Sequence, residues 1–242
     1  MEQDDKTIIQ HRVLHIDLSK KQIQIENPDD RFYRKYLGGR GIGLYYALEK
    51  IDPECDPLGP ENVMVFTPGL LNGLAAPGTP KYSVTAKSPL TGGIGESEAG
   101  GFWGGALRQC GFDAVVVTGK AESPVYISIR DTEGSIEDAS SLWKLDTKAF
   151  QERVREQVPK ARVLQIGPAG VTQCLFANIT NDLSFFNGRN GLGAVMGSKN
   201  LRAIVCNPSG KTVEVPGAER IKDISRAVSQ NVKENPLSSA LN

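Results

Sequence analysis

Apolar residues fall at every second position near the start of the chain: Leu14, Ile16 and Leu18, then Ile23 and Ile25, on either side of Ser19-Lys20-Lys21. That spacing predicts a β-hairpin over 12–18 and 22–26. The period then lengthens. A short helix is expected over 30–37, started by Asp29-Asp30 and ended by Gly38-Gly39, and a second from about Ile42 through Leu44, Tyr45 and Leu48. Compact apolar runs predict strands over 63–67, 114–118, 162–166, 175–179 and 203–206. Residues 124–129 and 135–138 flank Asp131-Thr132-Glu133-Gly134 as a second hairpin. Phe150 and Val154, four apart among charges, make 146–158 an amphipathic helix. Short helices are expected over 104–109 and from Ala194. A longer one over 219–232 places Ile221, Ile224 and Val228 on one face.

Two stretches break this pattern. Lys81 to Gly105 begins as an alternating strand through Tyr82, Val84 and Ala86, then carries glycines at 92, 93, 95, 100, 101, 104 and 105. Asn181 to Gly193 reads NDLSFFNGRNGLG. Both are predicted loops. Glycine gives up packing area and gains positive φ and close backbone approach, so a ligand held by main-chain N–H groups is one reading. Surface loops with tight turns are the other. A dinucleotide fold fits poorly, because no G-x-G-x-x-G follows a buried strand.

The halves of the chain echo each other. Gly39-Arg40-Gly41-Ile42-Gly43 is similar to Gly188-Arg189-Asn190-Gly191-Leu192-Gly193, and the segment from Gly105-Ala106 to Val117 is similar to that from Gly193-Ala194 to Val205. A tandem duplication of an α+β unit accounts for both. The expected fold is therefore α+β, two similar sheet-based subdomains over about 1–107 and 108–210. Residues 211–242, more polar, read as the start of a helical domain cut short at Pro236 to Asn242.

Composition narrows the function. At 242 residues with 39% apolar content the chain can bury a sizeable core. Lys plus Arg and Asp plus Glu are 28 each, so no global field draws it to nucleic acid or an anionic membrane. No apolar run nears the roughly 18 residues of a transmembrane helix, and a cytoplasmic protein is expected. Cys55, Cys110, Cys174 and Cys206 are dispersed, with only His11 and His15 beside them, and read as buried thiols rather than a metal site. Lys81, Arg40 and Arg189 are cations beside the glycine loops. Glu96 and Glu98 would repel an anion there unless a cation such as Mg²⁺ intervenes. Phe185-Phe186 fits core plugging better than stacking on a ring.

Several motifs together carry a resemblance. They are Leu37-Gly38-Gly39-Arg40-Gly41, Pro57 to Asn62, Lys87-Ser88-Pro89-Leu90-Thr91-Gly92, Ala99 to Gly104, Ile166 to Gly170 and Gly193 to Leu201. In that order and spacing the chain resembles the N-terminal domain of the tungsten-containing aldehyde:ferredoxin oxidoreductase family. The resemblance implies a base for a tungsten or molybdenum bis-pterin cofactor whose two phosphates share a Mg²⁺ ion, the metal being held by dithiolene sulfurs. By position it implies cofactor contacts at Lys81, Glu98, Ala99, Gly100 and Gly101, and at Phe185, Phe186, Gly188 and Arg189, with the backbone carbonyls of Glu98 and Phe186 on Mg²⁺. Archetypal members carry Arg for Lys81, Asn for Glu98 and Arg-Ala for Phe185-Phe186. The resemblance further implies an aldehyde substrate, ferredoxin or another electron-transfer subunit as acceptor, and a [4Fe–4S] cluster that this chain does not ligate. It also implies helical domains in cis or trans. A homodimer is compatible with it. The chain alone is then expected to be inactive; the alternative is a non-enzymatic pterin-binding module or split subunit.

Overall fold

The computed structural model describes residues 8–210, 215, 217–235 and 238. The polar start at 1–7 and most of the segment read as a cut end lie outside them. The predicted first hairpin forms from β1 (Val13–Asp17) and β2 (Gln22–Glu26). Next come α1 (Asp30–Tyr36), whose first turn is capped by the Asp29 carboxylate accepting from Phe32 N, and α2 (Arg40–Lys50). Strands β3 (Met64–Pro68), β4 (Tyr82–Lys87) and β5 (Ile94–Ala99) follow, then α3 (Trp103–Gln109) and β6 (Ala114–Thr118). The second hairpin is β7 (Val125–Arg130) with β8 (Glu133–Asp138). The chain continues through α4 (Thr147–Gln157), capped by Asp146, then β9 (Arg162–Ile166) and the single turn α5 (Pro168–Val171). Strands β10 (Ile179–Asn181) and β11 (Phe185–Asn187), then α6 (Leu192–Ser198), β12 (Leu201–Cys206) and α7 (Ala218–Glu234), complete it.

These strands make two six-stranded mixed sheets, ordered β2-β1-β6-β3-β4-β5 and β8-β7-β12-β9-β10-β11. Each half opens with an antiparallel hairpin and inserts its last strand parallel to the first; every other pairing is antiparallel. Six strands in the same order twice are the duplication the sequence suggests. The junction is not at 107/108, however. Strand β6 lies between β1 and β3 of the first sheet, its residues apolar toward both faces, so the halves meet between Thr118 and Val125. Of the two echoes, the one leading from α3 into β6 and from α6 into β12 joins equivalent positions. The other does not: Gly39–Gly43 begins the helix before β3, whereas Gly188–Gly193 precedes β12.

The sheets share one core. Leu14, Phe66, Val84 and Val115 of the first meet Ile127, Leu164 and Ile204 of the second, with Trp103, Leu107, Leu192 and Met196 from α3 and α6 among them. Trp103, fully buried, donates Nε1–H to Ile204 O at 3.0 Å, so its one polar atom is satisfied across the halves. Helices α1 and α2 cover the outer face of the first sheet through Tyr33, Ile42, Tyr46 and Ala47, and α4 covers that of the second through Phe150 and Val154. Helix α7 has no buried residue, and Ile224, Val228 and Val232 stay exposed.

Lys199, just after α6, ties the halves polarly: its fully buried ammonium donates to Pro60 O at 3.2 Å and Gly119 O at 3.0 Å. Burial lowers its pKa from 10.5 to about 8, against the pull of Glu61. Between those values the unfolded chain binds the extra proton, so stability rises with pH across that window and levels off above it. At about 1.4 kcal/mol per pKa unit the gain is of the order of 3 kcal/mol. Urea titrations from pH 7.5 to 10.5 should show wild type gaining that much relative to Lys199→Met; parallel curves would refute the assignment.

Candidate cofactor groove

Both glycine-rich stretches turn out to contain strand. Ile94–Ala99 pairs with β4 along its whole length, although its inward positions, Gly95, Ser97 and Ala99, are too small to read as hydrophobic. They are small because the second half packs on them. A Cβ at Gly95 would stand 2.7 Å from Asn190 Cβ, and one at Gly101 would stand 2.3 Å from Asn181 Oδ1 and 2.6 Å from Phe185 Cδ2. Similarly, 175–178 is not strand. Its carbonyls face the start of α6, where Gly193 N donates to Ala177 O at 3.0 Å, and Leu175 and Phe176 are exposed.

Edge strands β5 and β11 thus meet, stitched by amide side chains. Asn187 Nδ2 donates to Ser97 O at 2.7 Å, Asn190 Nδ2 to Glu96 O at 2.8 Å and Asn181 Nδ2 to Gly100 O at 3.0 Å. The Tyr82 hydroxyl, deep in the same seam, donates to Asn187 Oδ1 at 2.7 Å and accepts from Asn181 Nδ2 at 2.9 Å. Burial pushes that phenol's pKa well up, so it stays a protonated donor. These buried hydrogen bonds fix one register between the halves.

Above the seam lies an open groove of about 680 Å³, lined by Arg40, Lys81, Glu96, Ser97, Glu98, Phe186, Gly188 and Arg189. Of the nine residues expected at the cofactor, five line it: Lys81, Glu98, Phe186, Gly188 and Arg189. Ala99, Gly100, Gly101 and Phe185 lie behind, in the seam, where Phe185 rests on Gly100 and meets Phe102 edge-on at 6.2 Å. The two phenylalanines therefore divide: Phe185 is half-buried and Phe186 is 52% exposed on the groove.

The charge conflict at Glu96 and Glu98 is resolved within the chain. Arg40 Nε donates to Glu96 Oε2 at 3.0 Å, Nη2 lies 3.0 Å from the same oxygen, and Nη2 is 3.6 Å from Glu98 Oε1. Arg40 and Glu96 were legible as a cation and an acid beside the loops, but nothing in the sequence showed that they pair across 56 residues. Lys81 and Arg189 are both exposed and have no ion pair among the described residues. The groove thus offers two cations to an anion. Gly188 adds an open backbone surface, with nothing within 4 Å of where a Cβ would sit. These features fit a phosphate-bearing group laid across β5 and β11.

The cysteines lie elsewhere. Cys110 and Cys206 are fully buried in the shared core, Cys55 and Cys174 half-buried, and all four are free thiols. Among the described residues no group of three or more His, Cys, Asp or Glu is placed to hold a metal ion, and no helix is long and apolar enough to cross a membrane.

Comparison with known proteins bears on this groove. Residues 13–208 match the family model described as aldehyde ferredoxin oxidoreductase, N-terminal domain. The tungsten-containing aldehyde ferredoxin oxidoreductase of Pyrococcus furiosus is 40% identical over 228 residues, covering 93% of this chain and 38% of that protein. An aliphatic sulfonate oxidoreductase, WOR-like subunit, from the same organism is 33% identical over 232 residues, covering 89% and 37%. Among solved structures, the active site complex BamBC of benzoyl coenzyme A reductase with 1,5-dienoyl-CoA superposes with a TM-score of 0.89 at 32% identity. It covers 94% of this chain and 35% of that one. The chain thus spans little more than a third of the length of these relatives.

Proposed function

The chain belongs to the aldehyde ferredoxin oxidoreductase family, as its N-terminal domain, and on that premise we propose that the groove between β5 and β11 carries a tungsten bis-pterin cofactor. The observation that supports this most is the pair of cations without carboxylate partners among the described residues, Lys81 and Arg189, one from each half and both lining the groove. Each would meet a pterin phosphate: Lys81 as a point charge, Arg189 as a planar fork. The backbone carbonyls of Glu98 and Phe186, one on each edge strand, would hold a Mg²⁺ ion, with Ala99, Gly100, Gly101 and Phe185 keeping the strands in register behind them.

When bound, the tungsten supplies the redox chemistry that takes an aldehyde to a carboxylate. This chain's residues supply none of that step. They would hold the cofactor's anionic ends and fix its orientation, and helical domains supplied in cis or trans, of which 211–242 would be the beginning, would complete the site. A [4Fe–4S] cluster ligated there would pass electrons to ferredoxin or another electron-transfer subunit, in the cytoplasm. By itself the chain would bind without turning over.

Elemental analysis tests the reading. Protein purified from cells supplied with tungstate, produced together with the domains that complete its relatives' length, should contain tungsten and release fluorescent oxidised pterin. Neither tungsten nor molybdenum, or retained adenine nucleotide in place of pterin, would overturn it.

A further inference from the structure

The pairing at the groove's rim is unequal. Glu96 is the inner partner: its side chain is only 16% exposed, its Oε1 is buried without a hydrogen bond, and its Oε2 takes both Arg40 contacts at 3.0 Å. Glu98 is the outer partner, 46% exposed and 3.6 Å from Nη2. The Arg40 side chain is itself 59% exposed. A guanidinium has five N–H donors in a rigid fork; Nε–H and Nη2–H form one edge of it and converge on Glu96 Oε2, and Arg40 itself lines the groove. A half-exposed ion pair at 3.6 Å contributes little, whereas a guanidinium hydrogen-bonded to phosphate contributes more. Exchange of one for the other is downhill.

From this geometry we propose that Arg40 is a third anion contact of the groove, anchored by Glu96 and held in the empty state by Glu98, whose carboxylate competes with a ligand phosphate for the same guanidinium. The inference rests on the groove being a phosphate site and goes beyond it. It assigns Arg40 to the ligand and gives Glu98 a side-chain role as competitor, separate from any role of its backbone carbonyl. Glu98 then sets how tightly the groove takes its anion.

Inorganic pyrophosphate is the probe, titrated calorimetrically into the 242-residue chain at low salt, with thermal melts confirming that each variant folds. Glu98→Gln keeps the size of the side chain and removes the competing charge, so it should bind about three- to tenfold tighter. Arg40→Met should weaken binding about tenfold or more, and Arg40→Lys should restore part of the charge but not the fork. The Glu98→Gln gain should vanish in the Arg40→Met background, which separates competition for Arg40 from a general loss of negative charge. Unchanged binding in Arg40→Met, alongside losses in Lys81→Met and Arg189→Met, would overturn this inference and leave the phosphate groove standing. Persistence of the Glu98→Gln gain without Arg40 would overturn the competition. If wild type does not bind pyrophosphate, or all variants bind alike, the groove reading falls and the role of Arg40 with it.

Discussion

Replacing Lys81 and Arg189 together by methionine is expected to lower tungsten and pterin retention by at least a hundredfold while leaving the fold intact. Both side chains are exposed, one from each half and both lining the groove, and neither forms an ion pair among the described residues. Surface substitutions of that kind usually shift stability by no more than about 0.5 kcal/mol. A hydrogen bond from a charged donor contributes about 1.5–3 kcal/mol, so losing two costs at least about 3 kcal/mol, or two powers of ten in the binding constant. Metal content after extensive dialysis gives the retention, and the urea midpoint gives the control. Full retention in the double variant would mean that the groove is not where the cofactor's anionic ends lie. A collapse in stability would mean that these residues hold the protein rather than a ligand.

Gly101→Ala should fail in the opposite way, by unfolding the seam. Gly101 has φ +95°, where an L-residue is strained, and its new Cβ would stand 2.3 Å from Asn181 Oδ1 and 2.6 Å from the Phe185 ring. Asn181 cannot swing aside cheaply, since its Nδ2 is committed to both Tyr82 Oη and Gly100 O. Backbone strain and overpacking each cost about 1–3 kcal/mol, so a loss of roughly 2–6 kcal/mol is expected. Gly92→Ala is the matched control: its φ is +74°, but nothing lies within 4 Å of its Cβ, so only the strain of about 1 kcal/mol should appear. Denaturant midpoints of the two variants decide the matter. Equal losses would show that the close approach at Gly101 is tolerated and that its glycine serves conformation alone.

These two expectations mark where the sequence could and could not be read. Its alternation of apolar positions determined most of the elements: both N-terminal hairpins of the halves, the amphipathic α4, and the buried strands β6, β9 and β12, because each element's own periodicity reports which face it buries. Motif order determined the family. The repeated passage from α3 to β6 and from α6 to β12 gave away the duplication. Strand β5 stayed hidden, because residues that pack against another backbone are small and polar and carry no hydrophobic period. For the same reason the glycines at 95 and 101 read as loop glycines, whereas the structure packs them against Asn190, Asn181 and Phe185 of the other half. The placing of β6 in the first sheet, the Tyr82–Asn181–Asn187 network and the pairing of Arg40 with Glu96 and Glu98 were decided only by tertiary structure. Each depends on residues tens of positions apart meeting at one distance. A sequence lists the charges and amides present, but which of them neutralise one another and which remain free for a ligand is settled when the two sheets close on their shared core.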